Sequence, residues 1–126
     1  MTETEGTYHG TKAYLLVYGE LIQAARYGGT TTYQALAEMM GLPLSGSWMG
    51  TATGNMLCEI SRNEHQHGRP MLSAVVVGVS GVPGQGFYVL AQELGRFEGG
   101  SKEDQLRFWE EEKQAVYDEW KREYQS

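Results

Sequence analysis

The sequence predicts an α+β domain of the winged helix-turn-helix type, with an N-terminal helix before it and a long C-terminal helix after it. A short helical segment at residues 30–37 is followed, after a few residues, by a second helical run from residue 47 to about 65. The β-branched run at residues 72–79 then precedes a turn and the short apolar run at residues 87–89. Helix, short turn, helix and hairpin is the order of elements in a winged helix.

Length and cysteine content indicate one domain that folds around a hydrophobic core. The chain has 126 residues and a single cysteine, Cys58, so no internal disulfide forms. Residues 1–5 are acidic and polar, unlike a signal peptide. No apolar run approaches the ~20 residues that a membrane-spanning helix needs. We therefore expect a soluble cytoplasmic protein that does not contact a membrane. The residues expected in one buried core are Leu36, Met40, Ile60, Leu72, Val75 and Val77.

The net charge of −6 argues against strong non-specific binding to nucleic acid. Residues 101–126 hold eight acidic and five basic side chains, and residues 1–100 hold the same numbers. Neither part is a basic patch of the kind that attracts a phosphate backbone. An acidic surface instead fits a protein partner, including one whose phosphate-binding groove it would occupy as a mimic of DNA.

The first predicted helix covers residues 11–27, where apolar side chains recur at helical spacing. Thr11 is its expected N-cap, and Gly28 ends it.

The second predicted helix begins at Thr32, or at Thr31 with Gln34 completing a capping box. It ends at Gly41, which suits the left-handed position after a helix, and Pro43 prevents its continuation.

The third predicted helix carries a stripe of small residues, with Gly46, Gly50 and Gly54 at every fourth position. Such a stripe lets another backbone or a ligand approach closely. Each glycine inside a soluble helix costs about 1 kcal/mol relative to alanine, so the stripe needs an explanation. Tight helix crossing is one explanation, and a contact surface is the other.

Residues 72–79 are predicted to form a strand buried on both faces. Residues 80–86, with three glycines and a proline, form a loop. The segment after this loop has two alternative structures. Residues 87–90 form the return strand of a hairpin, or Phe87 packs inward while residues 88–94 form a helical turn that ends at Gly95.

The final helix is predicted over residues 101–124, with Ser101 and Asp104 as a capping box. We divide the chain accordingly into a winged-helix-like domain with its N-terminal helix, residues 1–100, and a C-terminal amphipathic helix, residues 101–126. The apolar stripe of this helix either packs on the domain or forms an interface, and the interface could join two copies of the chain. The expected interface residues are Trp109, Val116 and Trp120.

The sequence carries no strong signature of catalysis or metal binding. His65 and His67 lie near Cys58, but no second Cys or His cluster completes a zinc site. No serine elbow surrounds Ser73, and no nearby histidine activates Cys58. We therefore predict no catalytic residues, no metal and no cofactor.

Two resemblances accompany this interpretation. The run Thr-Thr-Tyr-Gln-Ala-Leu-Ala at residues 31–37, followed by Gly-Leu-Pro at residues 41–43, resembles the first helix of the helix-turn-helix in DNA alkyltransferases and alkyltransferase-like proteins. In that family the next helix enters DNA and presents an arginine to the base stack, which implies DNA contact here. The family's Pro-Cys-His-Arg motif is absent, and Ser47 and Trp48 stand near the place of the arginine.

The second resemblance covers residues 33–94. Arg-Pro-Met-Leu-Ser-Ala-Val-Val-Val at residues 69–77 and Gly-Val-Pro-Gly-Gln-Gly-Phe at residues 81–87 are similar to a group of small uncharacterised bacterial proteins. This resemblance implies a bacterial or phage origin and no particular activity.

The function expected from the sequence is that of a non-enzymatic binding module, which docks nucleic acid or a protein that handles nucleic acid. Two alternatives stay open. One is a small-ligand or enzymatic domain that uses a cleft beside the glycine stripe, with Tyr33, His65 and Arg69 as polar contacts. The other is an acidic, DNA-mimicking inhibitor. The predicted binding residues are Tyr33, Ser47, Trp48, Thr51, Arg62, Arg69 and Gln85.

Overall fold

The computed structural model describes residues 8–42 and 47–121 of the chain. In this part the chain is α+β, as predicted, with five α-helices and one small parallel sheet. The two strands pair with Thr31 opposite Val76 and Thr32 opposite Val77. The elements are α1 (Lys12–Arg26), β1 (Thr31–Thr32), α2 (Tyr33–Met39), α3 (Ser47–Gln66), a 3-10 helix (Leu72–Val75), β2 (Val76–Val77), α4 (Gln85–Glu93) and α5 (Lys102–Trp120).

The predicted helix starts are confirmed by their capping hydrogen bonds. The hydroxyl of Thr11 accepts from the backbone N–H of Tyr14 at 3.1 Å, and that of Thr32 accepts from Ala35 at the same distance. Ser101 caps α5, and the capping box with Asp104 is formed. Each cap satisfies a backbone donor that the first turn of a helix leaves free.

The end of α2 is also as predicted. Gly41 has φ +74°, a backbone conformation that residues with a Cβ rarely adopt. The N–H of Leu42 donates to the carbonyl of Ala37, and that of Gly41 donates to Glu38. This pair of bonds is a Schellman motif, which satisfies the last carbonyls of the helix.

The prediction of a long strand at residues 72–79 is wrong. Residues 72–75 form a 3-10 helix, and only Val76 and Val77 are extended in the sheet. The backbone here bonds with side chains of other helices, which removes the need for a β-ladder. The N–H of Met71 donates to Glu112 and that of Ser73 donates to Ser61, while the indole of Trp109 donates to the carbonyl of Ala74.

The predicted hairpin is wrong for a second reason, since residues 85–93 form α4 and not a return strand. The helical alternative for this segment is confirmed. Phe87, Leu90 and Ala91 are buried while Val89 is exposed, which is the pattern of a helix with one face on a core.

One hydrophobic core joins residues of every helix. Of the six residues expected in it, Met40 is only partly buried. The other five are buried: Leu36, Ile60, Leu72, Val75 and Val77.

The stripe of α5 packs inside the same chain. Trp109 and Val116 are 5% and 0% exposed, and α5 lies against α1 and the 3-10 helix. These two side chains are therefore covered by their own chain, as in the intramolecular alternative, and an interface through them stays a prediction. Trp120 is half-buried beside them. In the part of the chain described, no helix has both the length and the apolarity to cross a membrane.

Candidate functional site

A cavity of about 470 Å³ lies between α2, α3, the 3-10 helix and α4. This volume is in the range of pockets that bind small molecules. It is the cleft expected beside the glycine stripe. Its described lining consists of Tyr33, Thr51, Gly54, Asn55, Leu57, Cys58, Ser73, Gly84, Gly86, Phe87 and Leu90.

The cavity has an apolar floor and a more polar mouth. Three buried apolar side chains, those of Leu57, Phe87 and Leu90, belong to the core and form its inner wall. The exposed lining residues lie at the open side: Thr51, Asn55, Gly84 and Gly86.

Gly54 keeps part of this space open. Apart from the backbone of its own helix, a Cβ built on Gly54 would meet no atom of the described residues within 4 Å. Tight crossing with an element of the described chain is therefore not the reason for glycine at this position. Glycine at position 54 lowers the helix propensity of α3, and its missing side chain leaves room in the cavity. Gly46 lies outside the described residues, and so do the surroundings of Gly50.

Tyr33 provides the main hydroxyl of the cavity wall. Its oxygen accepts a hydrogen bond from the backbone N–H of Gly84 at 2.7 Å, which joins the start of α2 to the start of α4. Burial raises the pKa of Tyr33, and the Gly84 N–H opposes that shift. The phenol is therefore neutral at physiological pH and keeps its proton. Among the described residues no acceptor takes this proton.

Cys58 places a thiol in the same wall. Its side chain is half-buried, and it is the only cysteine of the chain. Burial raises the pKa of the thiol, and the charge of Arg62 opposes the shift. The group is therefore a neutral thiol near pH 7. No group of three or more His, Cys, Asp or Glu side chains able to hold a metal occurs in the described part of the chain.

Ser73 lies at the floor and is held by a second serine. The hydroxyl of Ser61 donates to that of Ser73 at 2.8 Å and accepts from the Ser73 N–H at 3.1 Å. Both residues are buried. The pair satisfies polar groups that burial would otherwise leave unpaired.

Arg69, predicted as a binding residue, is instead part of a structural ion pair. Its guanidinium donates two hydrogen bonds of 2.9 Å to the carboxylate of Glu64, whose side chain is 0% exposed. Tyr18 also donates to Glu64, and burial together with this hydrogen bond raises the pKa of Tyr18 to about 12. The ring of Trp120 lies 5.5 Å from the Arg69 guanidinium.

Arg96 extends this network away from the cavity. It donates to Glu112 at 3.0 Å, to the carbonyl of Arg69 at 2.8 Å and to the Nδ1 of His65 at 3.1 Å. Of the three polar contacts expected for the cleft, only Tyr33 belongs to its described lining. His65 accepts a hydrogen bond from Arg96, and Arg69 donates to Glu64.

The other predicted binding residues are distributed as follows. Thr51 lines the cavity. Arg62 pairs with Glu93 at 2.6 Å, with both side chains about half exposed. Gln85 exchanges amide hydrogen bonds of 3.4 and 3.3 Å with Gln105 on α5. The side chains of Ser47 and Trp48 lie outside the described residues.

Sequence reasoning missed most of the cavity wall on α3 and α4. On α3 a signal was present, because Thr51, Gly54, Asn55 and Cys58 follow the i, i+3, i+4, i+7 pattern of one helix face. On α4 the sequence left a return strand and a helical turn open, so it did not place Phe87 and Leu90 on one face of a helix.

Comparison with protein-family models, with curated proteins and with solved structures finds no match for this chain.

Proposed function

We propose that the protein binds a small molecule in the cavity between α2, α3 and α4. The observation that carries the proposal is a preformed space of about 470 Å³ with an apolar floor and a few placed hydroxyl groups. That combination is typical of ligand sites, where apolar walls supply affinity and few polar groups fix orientation.

Gly54 adds an independent argument. An alanine would fit at this position and would favour the helix by about 1 kcal/mol. A glycine that packing within the described chain does not require, at the wall of this cavity, is what a site with a requirement for space would keep. A stability cost at a functional site is a common pattern in proteins.

Nucleic-acid docking through a winged helix is the competing proposal. α2 and α3 keep the helix-turn-helix order, while α4 stands where the hairpin wing was expected. Arg62 and Arg69 each have a carboxylate partner, so neither is a free cation for phosphate. An acidic mimic of DNA also stays a proposal, and the net charge of −6 is what favours it.

A pair of substitutions at Gly54 tests ligand binding. The neutral fluorophore N-phenyl-1-naphthylamine serves as the probe, and its fluorescence rises in an apolar site. We expect Gly54→Leu to reduce probe affinity at least about tenfold, because the new side chain occupies the cavity. Gly54→Ala adds only one methyl group to the same wall, so its probe affinity should lie between that of the wild type and that of Gly54→Leu. Both variants should unfold at or above the wild-type temperature, since both improve helix propensity.

A second readout uses the single cysteine. Saturating probe should slow alkylation of Cys58 by N-ethylmaleimide in the wild type and in Gly54→Ala. Wild-type protein that neither binds the probe nor shows protection would refute the proposal, as would equal affinity of Gly54→Leu.

The nucleic-acid alternative has its own measurement. Fluorescence anisotropy with duplex and single-stranded DNA at low salt should show no binding by the wild type. If binding is seen, falls steeply with salt and is lost in Trp48→Ala and Arg62→Ala, docking through α3 replaces ligand binding as the proposed function.

A further inference from the structure

The described lining of the cavity contains no ionised side chain. None of these residues is Asp, Glu, Lys, Arg or His, and the two that titrate, Tyr33 and Cys58, are neutral near pH 7. The charges that act on Cys58 most directly are those of Arg62 and Glu93, which pair with each other at 2.6 Å. A charged ligand group would lose its hydration here without a counter-ion, which is among the costliest events in binding.

The amino end of α4 lies at the mouth and slightly favours negative charge. Its cap, Gly84, donates its N–H to Tyr33, so this donor is already used. The attraction of an exposed helix start for an anion is smaller than the cost of desolvating a carboxylate in an apolar cavity. The α4 terminus therefore does not change the preference for an uncharged ligand.

Tyr33 offers a hydrogen bond with a defined direction. Its oxygen is held by the Gly84 N–H at 2.7 Å, and its own proton has no acceptor among the described residues. Cys58 is only a weak donor, and the lining also carries the hydroxyls of Thr51 and Ser73 and the amide of Asn55. A phenol is more acidic than an alcohol or an amide, so the Tyr33 O–H is the strongest hydrogen-bond donor of the described wall.

The apolar part of the wall is packed into the hydrophobic core. Phe87 packs edge-on against Tyr88 with ring centroids 5.2 Å apart and also contacts Phe108 at 5.8 Å. Leu57 and Leu90 are buried beside it. Side chains held in this way present a preformed surface, so a ligand loses little affinity to rearrangement of the wall.

We infer that the ligand is an uncharged, mainly apolar molecule with one hydrogen-bond acceptor, such as a carbonyl oxygen, that takes the proton of Tyr33. The inference rests on the proposed function and narrows it to a chemical class. The apolar body lies against Phe87, Leu57 and Leu90, and the acceptor faces the mouth.

Four naphthalenes of similar size test the inference by displacement of N-phenyl-1-naphthylamine. They are methyl 2-naphthoate, 2-ethylnaphthalene without an acceptor, the 2-naphthoate anion and the 2-naphthylmethylammonium cation. We expect the ester to bind at least about tenfold more tightly than either ion. It should exceed the hydrocarbon by about three- to tenfold, the contribution of one neutral hydrogen bond.

Tyr33→Phe is the matched variant, because it removes only the hydroxyl. We expect the ester to lose its advantage over the hydrocarbon in this variant while the hydrocarbon binds as before. If either ion binds most tightly, or if the advantage of the ester survives Tyr33→Phe, the inference is overturned and ligand binding still stands. If neither the fluorophore nor any naphthalene binds, the proposed function itself fails.

Discussion

Replacing Arg69 with methionine is expected to destabilise the protein by about 3–5 kcal/mol. Glu64 has a fully buried side chain, and Arg69 supplies two of its charge-assisted hydrogen bonds. Without the guanidinium the carboxylate is left buried without its counter-ion. Urea unfolding followed by circular dichroism at pH 7 and 25 °C measures the loss.

Two controls make the expectation specific. Arg62→Met removes an arginine from an exposed ion pair with Glu93, and such pairs contribute only about 0–1 kcal/mol. The double variant Glu64→Gln/Arg69→Met removes both charges and should recover most of the lost stability. Equal, small effects of Arg69→Met and Arg62→Met would show that the Glu64 pair is not structural and would restore Arg69 as a candidate binding residue.

Trp109→Ala is the second substitution with a large expected effect, again about 3–5 kcal/mol. The indole is 5% exposed, its N–H donates to the carbonyl of Ala74 at 2.8 Å, and the ammonium of Lys113 lies 4.1 Å from the ring centroid. The substitution creates a cavity and leaves a buried carbonyl without its partner. Leu106→Ala on the same helix is the control, since Leu106 is 40% exposed and its loss should change stability by no more than about 0.5 kcal/mol.

The same variant separates core packing from dimer formation through α5. If Trp109 belongs to the core, its loss lowers the unfolding temperature equally at every protein concentration. If it joined two copies, the wild-type unfolding temperature would rise with concentration and that dependence would vanish in Trp109→Ala. Concentration-dependent melting, with sedimentation velocity on both proteins, would therefore contradict the intramolecular packing of Trp109.

The helices of this protein were predictable because their signals are local. Thr11, Thr32 and Ser101 cap helices through bonds to residues three positions away, and Gly41 ends α2 through its own backbone conformation. A cap needs only its neighbours in the chain, so its sequence pattern is nearly sufficient.

The β-rich run at residues 72–79 was misread because hydrophobicity and β-branching report burial more than backbone geometry. Its partners are remote in sequence: Ser61 on α3, and Trp109 and Glu112 on α5. Because these side chains bond to its backbone, the segment satisfies its backbone hydrogen-bonding groups in a 3-10 helix as well as it would in a sheet.

In the candidate site, too, local features were predictable and contacts between distant residues were not. Tyr33 and Thr51 were identified from the sequence, and so was the idea of a cleft beside the glycine stripe, which Gly54 lines. Arg69 was assigned to binding because the sequence shows a charge without its partner. Glu64, five residues earlier, becomes that partner only when α3 ends and the chain turns back on it.

By itself, then, the sequence determined the α+β class, the starts of α1, α2 and α5, the end of α2 and most of the buried core, because caps and apolar periodicity act over a few residues. The final helix, predicted to run to residue 124, ends at Trp120. Tertiary structure alone decided that residues 85–93 are helical, that Trp109 packs inward and that Arg69 forms an ion pair with Glu64. It also decided where empty space remains. A cavity is the volume that several distant segments fail to fill together, and no single stretch of sequence encodes it.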